Sequence, residues 1–221
     1  EKTKRYIKDK VKDISRELIL LYKKRLELKK APYKDYPEED VFGSEFKYTL
    51  TKDQEKSILE INNDLKRNIP MDRLLCGDVG FGKTEVAMRA MFKAVLNNEQ
   101  VLYLCPTTIL SKQQYNVAKE RFKNWPIEIA LLNRHVTHKK TMQILEDLKS
   151  GKIDILFGTH RILSDDIVCK NLGMLVVDEE QRFGVTHKEK WNSNIRLKNY
   201  FEKKTGNFSP ELRGRKKPAI V

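Results

Sequence analysis

Short apolar runs alternate with amphipathic stretches through the middle of this chain. The runs cover residues 73–76, 101–105, 127–132, 153–157 and 174–177. Helical patterns fall between them at about 83–97, 108–123 and 137–149, with another before the first run at about 51–67. In that earlier stretch Thr51 is placed to cap, and Ile58, Ile61 and Leu65 share one face. Strand-length apolar runs alternating with helices predict βαβ units, and so an α/β fold with a mostly parallel sheet covered on both faces.

The ends read differently. Ile7, Val11, Ile14, Leu18 and Leu21 recur at steps of four and three among Lys, Arg and Glu, which predicts a basic amphipathic helix within residues 1–30. Pro32 and Pro37 mark an irregular connector over 31–45, and its aromatic residues give it something to pack. The domain is expected over 46–190. Beyond it, 191–221 is poor in apolar periodicity and rich in Asn, Lys, Arg, Gly and Pro, the composition of a basic tail with a short helix near 188–203 and little other structure.

Charge sharpens this division. The net charge is +13, but residues 1–30 hold 12 Lys+Arg against 5 Asp+Glu, and 190–221 hold 9 against 2. The body, 31–189, holds 23 against 24. The basicity belongs to two arms, each serving either as a solvated face or as a phosphate-contacting surface. The 221 residues suffice for one domain and a flanking element. No apolar run reaches the roughly 18 residues of a membrane span. The three cysteines (Cys76, Cys105, Cys169) lie far apart. A cytoplasmic protein without disulfides or membrane partner is expected. His135, His138, His160 and His187 lack metal-ligand spacing, and no nucleophile–base arrangement can be argued.

One motif carries strong chemistry. Gly77-Asp78-Val79-Gly80-Phe81-Gly82-Lys83-Thr84 matches G-x-x-x-x-G-K-[ST], between an apolar run and a helical pattern. Glycines such as Gly80 and Gly82 let backbone N–H groups, with Phe81 between them, close around phosphate oxygens at a helix N-terminus. Lys83 is placed to neutralise the β- and γ-phosphates of ATP, and Thr84 to ligate Mg²⁺. About 95 residues on, Leu175-Val176-Val177 leads into Asp178-Glu179-Glu180-Gln181. An acidic pair at a strand end suits Mg²⁺ at Asp178 and an attacking water at Glu179.

Weaker signals surround these. Phe46 and Gln54 precede the glycine loop by some 25–35 residues, so an aromatic ring and an amide are available to an adenine. A packed aromatic and a surface Gln explain them equally well. Pro106-Thr107-Thr108-Ile109 and Gly158-Thr159-His160-Arg161 follow strands, where open α/β sheets bind ligands. Their hydroxyls suit nucleic-acid phosphates or plain helix caps.

In this order, these motifs resemble the first RecA-like domain of superfamily 2 helicases and translocases. The run from Met71 to Ala90, Pro106-Thr107-Thr108-Ile109-Leu110, Gly151-Lys152-Ile153-Asp154-Ile155-Leu156 and Asp178-Glu179-Glu180-Gln181-Arg182-Phe183-Gly184-Val185 resemble the bacterial transcription-repair coupling factors. The likeness covers about 8–190. It implies an ATP-driven motor on double-stranded DNA that displaces stalled RNA polymerase and recruits excision-repair proteins through domains outside this sequence. It also implies that Phe46 and Gln54 hold adenine, that Thr107, Thr108, Arg134, Thr159, His160 and Arg161 face DNA, and that Glu180 and Gln181 couple the two sites. Residues 7–30 resemble the helix linking the polymerase-binding domain to the motor.

Three departures bear on activity. Gln181 stands where the family usually has His. The Thr-Ala-Thr-Pro motif expected 15–20 residues after Gly184 is absent, and 191–221 does not resemble the family. No second RecA-like domain is present to supply an arginine finger, worth roughly 10³–10⁵ in rate in related reactions. The expectation is a chain that binds nucleotide and hydrolyses it slowly alone, from a truncated, split or engineered gene. A RecG-like branch-migration helicase is the enzymatic alternative, although Phe81 and Pro-Thr-Thr depart from that pattern. A non-catalytic nucleotide- or DNA-binding remnant is the other.

Overall fold

The computed structural model describes residues 29–77, 80–178 and 219–220. The expected helix of residues 1–30, apart from Lys29 and Lys30, which are not helical, the short helix near 188–203 and most of the tail lie outside them.

The first element corrects the expectation for 31–45. Helix α1, Glu38–Ser44, forms inside the supposed connector. Pro37 precedes it with φ −56°, already suited to a helix start, and Glu38, Glu39 and Asp40 place negative charge at the positive end of the helix dipole. Seven residues with Gly43 among them are too few to show a period. Helix α2, Lys52–Leu65, starts at a complete capping box. Gln54 N–H donates to Thr51 Oγ1 at 3.3 Å, and Thr51 N–H donates to Gln54 Oε1 at 2.8 Å.

The run at 73–76 forms no sheet strand, contrary to expectation. Leu74 is 72% exposed. Arg73 ties the segment to α2 instead, its Nε donating to Asp64 at 2.7 Å and its Nη1 to Glu60 at 2.6 Å. The open flank of the sheet is taken by a two-residue strand, too short to give this run a ladder.

The other runs form strands as expected. Helix α3, Lys83–Leu96, turns through Asn97–Glu99 into β1, Gln100–Leu104. Then follow α4, Thr108–Arg121; β2, Ile129–Leu132; α5, His138–Ser150; and β3, Ile155–Gly158. A 3₁₀ turn at His160–Leu163 leads toward β4, Leu172–Val177, and Ala219–Ile220, within the stretch expected to lack structure, form β5.

The sheet order is β2-β3-β1-β4-β5, and every pair is parallel. Tyr103 stands beside Phe157 on one flank and Val176 on the other. Side chains alternate between two cores, as the pleat requires. Val101, Tyr103, Ile155, Phe157, Met174 and Val176 face α2, α3, α4 and the Phe42 segment. Leu102, Leu104, Leu156 and Leu175 face α5, Ile162 and Ile167. Both faces of the sheet are therefore buried, which explains why its strands are continuously apolar.

Candidate nucleotide and nucleic-acid edge

Parallel topology gathers the candidate residues at one edge. The loops after β1, β2, β3 and β4 all emerge at the carboxyl ends of the strands, carrying Thr107 and Thr108, Arg134, Thr159 to Arg161, and Asp178 respectively. Helix α3 packs on the sheet and returns to β1 through three residues, so its first turn, with Lys83 and Thr84, lies at that same edge. This is where open α/β sheets bind ligands.

The glycine loop enters α3 through left-handed backbone. Gly80 has φ +85° and Gly82 φ +72°. At Gly82 a Cβ would also overlap the Gln54 amide. Gln54 Nε2 donates to the Phe81 carbonyl at 2.7 Å, so one side chain caps α2 and clasps the loop. Lys83 Nζ donates to the Gly77 carbonyl at 2.6 Å, folding the lysine back over its own loop. Thr84 is half-buried in the first turn of α3.

Asp178 follows β4, and its N–H donates to Leu104 O at 2.9 Å, extending the ladder by one bond. Burial, and then the nearby Asp178 charge, push the Tyr103 phenol well above the tyrosine range, so it stays protonated.

A charged strut supports the loop from behind. Glu85, buried in the first turn of α3, accepts from Arg89 Nε at 2.8 Å and from Arg121 Nη2 at 2.9 Å. Arg121 reaches across from the end of α4, donates to the Phe42 carbonyl at 2.7 Å and lies 3.6 Å over the Phe42 ring. Arg89 donates to the Gly43 carbonyl at 3.0 Å. Both guanidinium groups lie about 6 Å from the Phe46 ring, at 6.0 Å for Arg89 and 5.9 Å for Arg121. Phe46 is half-buried and meets Tyr48 edge-on at 5.6 Å. The strut thus joins the glycine-loop helix to the segment bearing Phe46. An acidic residue inside the buried stretch after Thr84 was its sequence signal.

The remaining loops are mixed. Thr107 accepts from Leu110 N–H at 3.2 Å, and so acts as the cap of α4. Thr108 is half-buried, while Ile109 beside it is 79% exposed. Arg134 and His160 are exposed, and Thr159 is half-buried. Arg161 is bound to Asp166 by both terminal nitrogens, Nη1 at 2.7 Å, which offsets much of its charge locally. Glu179, Glu180 and Gln181 lie outside the described residues. Among the described residues no His/Cys/Asp/Glu group could hold a metal by itself, and no helix is long and apolar enough to cross a membrane. The oxygen donors Thr84 and Asp178, joined by phosphate oxygens, are the chemistry Mg²⁺ prefers, so these residues fit a nucleotide–Mg²⁺ complex.

The model of the DEAD/DEAH box helicase family matches residues 51–209, spanning the glycine loop, both threonine loops and the acidic strand end. The chain belongs to the DEAD/DEAH box helicase family. It is 54% identical over 193 residues to the transcription-repair-coupling factor of Borreliella burgdorferi, covering 86% of this chain and 17% of that protein. To the transcription-repair-coupling factor of Staphylococcus aureus (strain USA300) it is 53% identical over 191 residues, covering 86% of this chain and 16% of that protein. The chain thus spans about a sixth of the length of these curated relatives. Among solved structures, RecG bound to a three-way DNA junction superposes with TM-score 0.69 at 35% identity, over 76% of this chain and 23% of that one. The yeast DEAD-box splicing factor Prp28 shares the fold, with TM-score 0.59 at 19% identity over 81% of this chain and 42% of that one. The α/β body is therefore a RecA-like domain of a helicase and translocase family.

Proposed function

We propose that residues 46–190 are the first RecA-like motor domain of a transcription-repair coupling factor. The complete motor would use ATP to move on double-stranded DNA, displace stalled RNA polymerase and bring in excision-repair proteins. In this reading residues 1–30 are the linking helix, 31–45 a connector holding α1, and 191–221 a divergent basic segment. The observation that carries the proposal is the convergence of Lys83, Thr84 and Asp178 with four strand-end loops at one edge of the sheet.

Lys83 would leave the Gly77 carbonyl for the β- and γ-phosphates, which the N–H groups around Gly80, Phe81 and Gly82 would also meet. Thr84 and Asp178 would hold Mg²⁺, which offsets phosphate charge as the γ-phosphoryl departs. Glu179 would orient the water. Phe46 would stack on adenine and Gln54 read its edge, while Gln54 also sets the loop. Thr107, Thr108, Arg134, Thr159, His160 and Arg161 would follow the DNA backbone, with Glu180 and Gln181 coupling the two sites. The 221 residues hold one P-loop domain, so this chain alone would bind ATP with little turnover.

The test is thermal melting with and without Mg²⁺ and a non-hydrolysable ATP analogue. A rise in midpoint for the wild type and none for Lys83→Ala is expected. An equal rise in both chains would sink the assignment. The RecG likeness favours a second reading, a branch-migration motor. Junction DNA stimulating ATP turnover of the whole protein more than plain duplex DNA would select it.

A further inference from the structure

We propose that Arg121 is a positioning residue for the nucleobase: through Glu85 it holds the segment bearing Phe46 at a fixed distance from the phosphate loop. This rests on the nucleotide-site reading given above and deepens it.

Two parts of the edge that are distant in sequence have to hold one ligand. The phosphates belong to the glycine loop and the first turn of α3, and the base to the segment that follows α1. Charged side chains join the two. Glu85 follows Thr84 directly and is buried. Arg121 meets it as a fork, Nε reaching Oε2 at 3.0 Å and Nη2 reaching Oε1 at 2.9 Å. Both donors lie in the guanidinium plane, so the pair fixes orientation as well as distance. The same Nη2 donates to the Phe42 carbonyl at 2.7 Å. One side chain therefore sets the gap between α1 and α3.

The end of α1 shows why guanidinium groups suit this place. The last carbonyls of a helix lack partners within it and form the negative end of its dipole. The last turn of α1 holds no basic residue of its own. Arg121 supplies the charge from α4, and Arg89 supplies it from α3 by donating to the Gly43 carbonyl at 3.0 Å. That carbonyl also accepts the Phe46 N–H at 3.3 Å, so the junction sets where the Phe46 backbone leaves α1. Glu85 binds both arginines. Apolar packing also holds α1 down, since Phe42 stacks on Phe92 at 4.2 Å. A stacked ring tolerates sliding, whereas a two-pronged hydrogen bond does not. The fork is what specifies the register between base and phosphates.

The experiment compares two ligands of the full chain in Mg²⁺ by titration calorimetry: a non-hydrolysable ATP analogue and inorganic tripolyphosphate, which lacks the base. The ratio of their dissociation constants reports the contribution of the base. Wild type, Arg121→Met, Arg121→Lys, Phe46→Ala and the Arg121→Met/Phe46→Ala double variant are titrated, each well below its melting midpoint. In Arg121→Met the preference for the analogue should fall about tenfold, while tripolyphosphate affinity stays within about twofold of wild type. Arg121→Lys keeps the charge without the fork and should lose part of the preference. In the Phe46→Ala background, Arg121→Met should change the ratio no further. A preference that survives in both Arg121 variants overturns the role of Arg121 alone. So does an equal loss for both ligands, which would make the arginine a support of the fold. A wild type that binds neither ligand overturns the nucleotide-site reading and this proposal with it. A wild type that binds both equally removes the base contribution, and again overturns the proposal. If Arg121→Met does not melt cooperatively, Arg121→Lys carries the test on the same terms; if neither does, the arginine is a determinant of the fold and the proposal fails.

Discussion

The two ends of the sheet are both rich in polar groups and use them in opposite ways. At the amino ends of the strands the polar groups are buried against one another. Lys30, 4% exposed, donates to Glu99 at 3.1 Å, to the Tyr33 hydroxyl at 2.8 Å and to the Gly173 carbonyl at 3.0 Å. Tyr33 also donates to Glu99, and burial followed by that charge keeps its phenol protonated. Beside them the buried Gln100 amide donates to Leu148 O at 2.9 Å and to Ile153 O at 2.6 Å, and accepts from Asn171 N–H at 3.0 Å. At the carboxyl ends the polar groups sit on glycine-rich, threonine-rich and exposed loops. One end spends its polar chemistry on holding elements together; the other leaves it facing outward. Position along the strand, more than residue type, separates the two.

That contrast can be broken most forcefully at Glu99. Glu99→Gln leaves the Lys30 ammonium buried beside a neutral amide and should cost about 3 kcal/mol or more in denaturant melts. The nucleotide-induced rise in melting midpoint should survive in the folded fraction. Gln100→Ala takes the side-chain partner from Ile153 O and Asn171 N–H, while Leu148 O keeps Gly151 N–H, and should cost about 2 kcal/mol by the same melts, again sparing the nucleotide response. Gln54→Ala works at the other end. Loss of half a capping box and of the clasp on Phe81 should cost about 1 kcal/mol, and analogue binding should weaken as well. Lys83→Ala should change basal stability by no more than about 0.5 kcal/mol, yet abolish the nucleotide response. Equal stability losses at the two ends would erase the distinction.

The smallest effect has the opposite sign. Asp154, at the entrance to β3, titrates above the ordinary aspartate range, because burial disfavours its charge and Glu128 adds repulsion. Its Oδ2 accepts from Glu128 N–H at 2.8 Å, a bond an asparagine oxygen can also make. A carboxyl whose folded pKa lies above its unfolded value costs stability at neutral pH, and the cost fades as pH falls through the folded value toward the unfolded one. Asp154→Asn should therefore be slightly more stable than wild type at pH 7, with the advantage vanishing as the pH is lowered into the carboxylate range. Melts across pH check both the sign and the window.

The sequence made local features legible and long-range ones obscure. Alternating apolar runs and amphipathic stretches located four strands and four helices, because burial on both faces of a parallel sheet leaves a strong pattern. Helix α1 escaped because seven residues between prolines and aromatics show capping charge but no period. The 73–76 run looked like its neighbours, yet a strand needs a partner of adequate length, and pairing is not written in the run itself. At the candidate site, Lys83, Thr84 and Asp178 stood out as candidates because phosphate chemistry demands local spacing. Glu85 and Arg121 did not, since their ion pair joins two helices. Gln54 was legible as a candidate, but its grip on the Phe81 carbonyl was not.

Trp125 gives the chain an optical reporter. Its ring meets Phe42 edge-on at 6.1 Å and Phe92 at 4.6 Å, and its indole N–H donates to Glu45 at 2.9 Å. Phe42 and Glu45 belong to the strap carrying Phe46, whereas Phe92 belongs to α3. The indole therefore senses whether strap and helix are together. With Trp191 replaced by phenylalanine, its emission should shift to longer wavelength when the strap lifts and water reaches the ring. Ordinary steady-state fluorescence could then follow the packing of this segment on α3 without any added label.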